Sequence, residues 1–249
     1  MRYLDLIVAR LFALVVAAVL AFGGEAEAMS VTPIHVEMTS AGSGGRAQVT
    51  VTNDGTTPLP VEAQINKMSV GEDGTQNLEK AGEDFLVFPP QALIPPGASQ
   101  VFRVQWVGDP EISESQSFML SMNQIPVKLP EGQSAVQVVM SFGVVINVAP
   151  PQGTPALKLV GAGIAKAKDG KRYPTITVEN PTSIHALLPQ ANIQVSGGGW
   201  SYAFTPLELR EKVGIGLVQP GKKRRFVLPV DLPDGVTSVQ ASLDFKPKR

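Results

Sequence analysis

The 249-residue sequence offers little with which to do covalent chemistry. It has no Cys and only two His, His35 and His185, which excludes a thiolate nucleophile and a thiolate metal centre. No His-Glu-x-x-His or Gly-x-Ser-x-Gly run is present to build a zinc site or a nucleophile elbow. Asp and Glu pairs are available for glycosidase chemistry, but nothing in the pattern builds the cleft such a pair requires. The densest charge cluster is Lys222-Lys223-Arg224-Arg225. At the start of a strand such a run is usually solvated and guards an edge. His185 follows a turn and is given no role. The residue types therefore point away from an enzyme, with no cofactor and no metal, and towards a binding protein.

The elements that position any binding residue begin after an address. Arg2 and Arg10 form a positive start, and Leu11 to Phe22 is an apolar run too short to span a bilayer. Ala26-Glu27-Ala28 then supplies a small-x-small cleavage pattern. A signal peptide over residues 1–28 is expected, with the mature chain starting at Met29. That mature chain carries 19 basic and 19 acidic residues, unevenly spread. Residues 29–150 hold 5 Lys/Arg against 12 Asp/Glu, and residues 151–249 hold 14 against 7. An acidic half joined to a basic half indicates two domains of different surface character. The basic half has few aromatics and no recognition motif, so no nucleic acid is expected as a partner.

Short alternating runs punctuated by Gly, Pro and Asn dominate, as in Ala47–Val51, Val101–Trp106 and Thr175–Val178. The best helical candidate, Pro206 to Lys212, is short. The chain also resembles itself. Val49-Thr50-Val51-Thr52-Asn53 recurs as Ile176-Thr177-Val178-Glu179-Asn180, and Pro96-Gly97 followed by Phe102 recurs as Pro220-Gly221 followed by Phe226. Two matched elements in the same order predict an all-β protein of two immunoglobulin-like β-sandwich domains joined by a Pro-rich elbow. The expected division is an N-terminal domain over 29–149, a linker over 150–155 and a C-terminal domain over 156–249. Three prolines in Ala149 to Pro155 should make that elbow stiff.

The most informative segment is Val136 to Val148, thirteen residues without a charge or a proline. Val136, Val138, Met140, Phe142 and Val144 share one face at period two. At a sheet edge such a strand would template another chain; buried on both faces it would be an ordinary central strand. As the last strand of its domain it is expected at the periphery.

Together these motifs resemble the PapD-like periplasmic pilus chaperones of the chaperone–usher pathway. The similarity is carried by Phe88-Pro89-Pro90, by Pro95-Pro96-Gly97-Ala98-Ser99-Gln100 with Arg103, and by Ser117 to Pro126. Val31 to Val36, Arg46 to Asn53, Val178 to Pro181 and Leu217 to Gly221 add to it. The resemblance implies a periplasmic chaperone that stabilises pilus or fimbrial subunits, immunoglobulin-like folds lacking a strand, by donor-strand complementation. It further implies delivery to an outer-membrane usher, and leaves open a homodimer in which each copy caps the other's strand. The implied donor row is Val136, Val138, Met140 and Phe142, extended to Val144. In the family an Arg on the first strand and a Lys late in the donor strand hold the subunit's C-terminal carboxylate. The first aligns with His35 and the second falls near Val145; Met119 replaces a further family Arg. These departures imply a divergent branch, archaic in kind. The rival reading is a secreted sandwich module that binds carbohydrate or a cell-surface protein, for which two Trp and three Tyr are sparse provision.

Overall fold

The computed structural model describes residues 29–81, 83–126 and 138–247, so the expected leader over 1–28 and Val136 lie outside the described residues. The first sandwich contains β1 (Met29–Thr32), β2 (His35–Thr39), β3 (Arg46–Asn53), β4 (Leu59–Val70) and β5 (Gln76–Lys80). It continues through β6 (Phe85–Phe88), β7 (Gln91–Ile94), β8 (Ser99–Trp106), β9 (Gln116–Gln124) and β10 (Ser141–Ala149). The second comprises β11 (Lys158–Lys166), β12 (Arg172–Glu179), β13 (Ala186–Leu187), β14 (Ala191–Gly197) and β15 (Trp200–Phe204). After helix α1 (Pro206–Val213) come β16 (Leu217–Val218), β17 (Lys223–Val227) and β18 (Gln240–Phe245).

In the first sandwich a β1-β3-β8-β6 sheet faces a β2-β10-β9-β4-β5 sheet, with β7 also paired to β4. Alternation decides what lies between them. Val49, Val51 and Phe102 from one sheet meet Phe118, Leu120, Met122 and Ile146 from the other, all 0% exposed. Phe85 packs edge-on against Trp106 and Phe118 at centroid distances of 5.1 and 4.8 Å, and Trp106 lies tilted against Phe118 at 5.8 Å. The second sandwich is built from β11-β12-β17, β13-β16 and β15-β14-β18, with Ile176, Val178, Ile193 and Phe204 at its centre. Its short helix α1 starts as its sequence requires. Thr205 and Glu208 form a reciprocal capping box, and Pro206 occupies the first turn, where no amide donor is needed.

The internal repeat extends to individual atoms. Asn53 donates from Nδ2 to the Thr57 and Ile94 carbonyls, and its Oδ1 accepts from Gly55 N–H. Asn180 donates to the Ile184 and Val218 carbonyls, and its Oδ1 accepts from Thr182 N–H. Each Asn thus ties the turn after its strand to the edge of a distant one. The matched Pro-Gly turns place Gly97 and Gly221 at φ 68° and 64°, where a side chain would be strained. Gly97 N–H donates to the Asn53 carbonyl, and Asn180 N–H to the Lys222 carbonyl.

The two sandwiches touch directly, so the prolines do not set their relation alone. Gln219 donates to the Met68 carbonyl and accepts from Val70 N–H, both at 2.9 Å, capping the end of β4 as a neighbouring strand would. Ser115 N–H donates to the Ser183 carbonyl and Arg225 N–H to that of Glu72. Met68, Val70, Val145 and Leu217 form an apolar cluster beside these bonds.

Both Asn residues are at most 2% exposed, and removing either amide takes away buried bonds, to the Ile94 carbonyl in one corner and to those of Ile184 and Val218 in the other. Asn53→Ala and Asn180→Ala should each lower stability by about 2–3 kcal/mol in urea unfolding. A loss below about 0.5 kcal/mol, the range of a surface change, would show that the corners are not structural.

Candidate functional site

β10 is held differently along its length. Antiparallel to it, β9 pairs from Ser141 through Val148, whereas β2 pairs parallel to it only from Val145, opposite His35, to Ala149. Val145–Ala149 is therefore a central strand, and among the described residues no strand pairs with the second edge of Ser141–Val144. The strand is neither wholly peripheral nor wholly central. The even-numbered face shows the same transition. Val144, Ile146 and Val148 are 0% exposed, Phe142 and Met140 are half-buried against the core, and Val138 is 80% exposed. The row that fills the first domain's core runs off its end. Val144 is closed into that core, whereas Phe142 and Met140, earlier in the expected lending row, are only partly buried against it. Val138, Met140 and Phe142 keep accessible surface, and Val136 lies outside the described residues.

The odd-numbered face meets the second sandwich. His35, Val145 and Met119 lie side by side across β2, β10 and β9, so the two expected anchor positions are neighbours in space. Their chemistry is changed. Val145 is buried in the apolar cluster between the sandwiches, and Met119 packs against it. His35 is already engaged: its Nε2 lies 2.5 Å from Glu37 Oε1. The other carboxylate oxygen of Glu37 lies 2.5 Å from Nε2 of His185, a second-domain residue 5% exposed. Asn147 donates to Glu37 Oε1 at 3.0 Å and accepts from Ser117 Oγ, while His185 N–H donates to Ser115 Oγ. Where the resemblance implies cations waiting for a carboxylate, the chain supplies the carboxylate itself. Glu37 already holds His35, the expected subunit anchor, and a second carboxylate there would meet like charge.

Glu37 stays ionised for identifiable reasons. Desolvation against the second sandwich raises its pKa, but hydrogen bonds from His185 and His35, the charge of His185 and the Asn147 amide outweigh it and hold it at about 2. Sequence reasoning missed Glu37 and His185. The only signal was a polar Glu between buried Val36 and Met38, which every half-exposed strand shows.

With this geometry in place, comparison gives the class. The family model for pili and flagellar-assembly chaperones, PapD N-terminal domain, matches residues 28–152, and the chain belongs to that family of chaperones. Solved structures share the fold at low identity. The YadV chaperone is 16% identical, with 86% of this chain and 90% of that one covered at a TM-score of 0.52. The Salmonella enterica SafB chaperone with the SafA pilin gives a match 14% identical, covering 90% and 99% at 0.52. The class 5 fimbriae chaperone CfaA is 13% identical, covering 89% and 100% at 0.51. No curated protein matches the sequence.

A carboxylate whose pKa is lowered from 4.5 to about 2 adds stability above pH 4.5 and loses it as pH falls towards 2. The Glu37 side chain is 48% exposed, so water screens it and its contribution should be about 1 kcal/mol. Glu37→Gln should therefore be less stable than wild type at pH 7, and the gap should close between pH 4.5 and 2 in urea unfolding. A gap unchanged over that window would contradict the ionised clasp.

Proposed function

We propose that this chaperone binds pilus or fimbrial subunits by lending them the bare half of β10. The carrying observation is the row Phe142, Met140 and Val138, which leaves the core and reaches 80% exposure on a segment whose hydrogen-bonding edge no described strand covers. A subunit lacking its last strand gains main-chain partners from the edge and side chains for its open core, an association by strand addition. Each inserted side chain contributes about 1.5–3 kcal/mol; much of that sum is offset by lost freedom on association. By its period Val136 belongs to the same row.

The rest of the reading follows from this role. Residues 1–28 direct the chain to the periplasm, residues 29–149 form the lending domain, residues 150–155 the linker and residues 156–249 the second domain. Subunits pass from the chaperone to an outer-membrane usher, and no step involves catalysis. In the free state a second copy can cover the edge. The sugar-binding alternative needs exposed Trp. Trp106 is 6% exposed, with its Nε1–H given to the Asp109 carbonyl, and Trp200 packs against the second core.

Val138→Asp and Met140→Asp test the reading. In the free chaperone a carboxylate at the bare edge reaches water, so circular dichroism should match wild type. In a subunit's apolar groove it is stranded, so recovery of subunits with the chaperone from periplasmic extracts should collapse. Unfolding of Val138→Asp, or full recovery with both variants, would overturn it.

A further inference from the structure

Antiparallel pairing gives alternate residues of β10 opposite main-chain roles. Val145 N–H donates to the Ile34 carbonyl just before β2, so odd-numbered residues turn their N–H and C=O away from β9 and even-numbered residues turn theirs towards it. The paired register of β10 with β9 ends at Ser141 opposite Asn123. Met140 and Gln124 come next, and the two bonds between them are made in different ways. Gln124 N–H donates to the Met140 carbonyl at 2.9 Å. Met140 N–H, which a continuing ladder would give to the Gln124 main-chain carbonyl, instead donates to the side-chain Oε1 of Gln124 at 3.2 Å. Two residues on stands Pro126, which has no N–H with which to carry the ladder further. The grip on Met140 is thus the last that β9 can offer, and half of it is a side chain.

A peptide unit is planar and trans, so its N–H and C=O point in opposite directions. Met140 N–H shares its unit with the Val139 carbonyl, and the Met140 carbonyl shares its unit with Ser141 N–H. Holding both Met140 groups on the β9 side therefore turns the Val139 carbonyl and Ser141 N–H outward, onto the edge that no described strand covers. We propose that Gln124 is a positioning residue for subunit binding. Gripping Met140 by main chain and side chain together, it presents an acceptor at Val139 and a donor at Ser141 to the incoming strand and keeps the Met140 side chain in the apolar row. The role rests on the edge-lending reading above, and it lengthens the lent edge by two residues beyond β10. Gln124 acts through Met140 rather than by touching the subunit. A strand end held by one bond frays, and a frayed end must be ordered anew when a partner joins it, which weakens binding.

Gln124→Met keeps a side chain of similar length and removes the acceptor, whereas Gln124→Glu retains an acceptor oxygen. In the free chaperone at pH 7 the Met140 amide should exchange about tenfold faster in Gln124→Met and at the wild-type rate in Gln124→Glu. The binding probe is the set of pilus subunits that co-purify with the wild-type chaperone from periplasmic extracts. Their complex with Gln124→Met should dissociate about three- to tenfold faster, the range of one hydrogen bond, with the urea midpoint unchanged. Gln124→Glu should restore the wild-type rate. Asn123→Ala is the control, because it removes only the bond from Ser141 Oγ to Asn123 Oδ1 at 2.6 Å, and it should behave as wild type. Wild-type exchange or wild-type dissociation in Gln124→Met overturns the assignment. So does a fall in urea midpoint that matches the loss, or an equal loss in Gln124→Glu or Asn123→Ala. Failure of the edge reading shows separately: Met140→Asp then recovers subunits as fully as wild type, whereas failure of the Gln124 role alone leaves Met140→Asp defective.

Discussion

A β-strand needs hydrogen-bonding partners on both sides, and among the described residues β10 has them over only half its length. The proposed lending of this strand depends on where β2 begins. From Val145 onward the strand is covered by β2 and β9, and its even side chains are sealed in the core. Before Val145 the same apolar pattern continues with one partner strand and an unfinished core. An apolar edge of this kind normally threatens aggregation. Here it is short and is anchored by a rigid, fully paired continuation. Rigidity favours binding, because a strand already fixed in register loses little freedom when a partner joins it.

The second sandwich is placed relative to that edge by several independent contacts. Gln219 caps the end of β4, backbone bonds join Ser115 to Ser183 and Arg225 to Glu72, and Glu37 joins His35 to His185. Opposite charges of the two halves meet where Glu37 lies against His185 and where Asp73, its pKa lowered first by hydrogen bonds from Thr75, is lowered further by the charge of Arg225. The basic run at 222–225 is partly structural: Arg224 bonds the Leu217 carbonyl at 2.5 Å and lies over the Phe226 ring. Burial lowers its pKa.

Much of the fold was legible because its signals are local. Alternation in Ala47–Val51, Val101–Trp106 and Thr175–Val178 marks strands that exist as β3, β8 and β12. The repeated Asn and Pro-Gly positions proved to be the same corner twice, and the helix at Pro206 differs by one residue at its end. The apolar row was legible as a period, but nothing within Val136–Val148 tells which half β2 covers. Nor could the sequence show Glu37 joined to a histidine 148 residues away. That pairing is a product of domain docking, and a lone charged residue on a strand reads as a solvated one.

Hydrogen exchange along β10 tests the central claim most directly. In the free chaperone the outward-facing amides of Ser141–Val144 should exchange well ahead of those of Val145–Ala149, which lie between two strands. On binding a subunit the first group should slow towards the second. Equal protection of both halves in the free monomer, or no gain at Ser141–Val144 in the complex, would contradict a chaperone that works by lending the bare half of this strand.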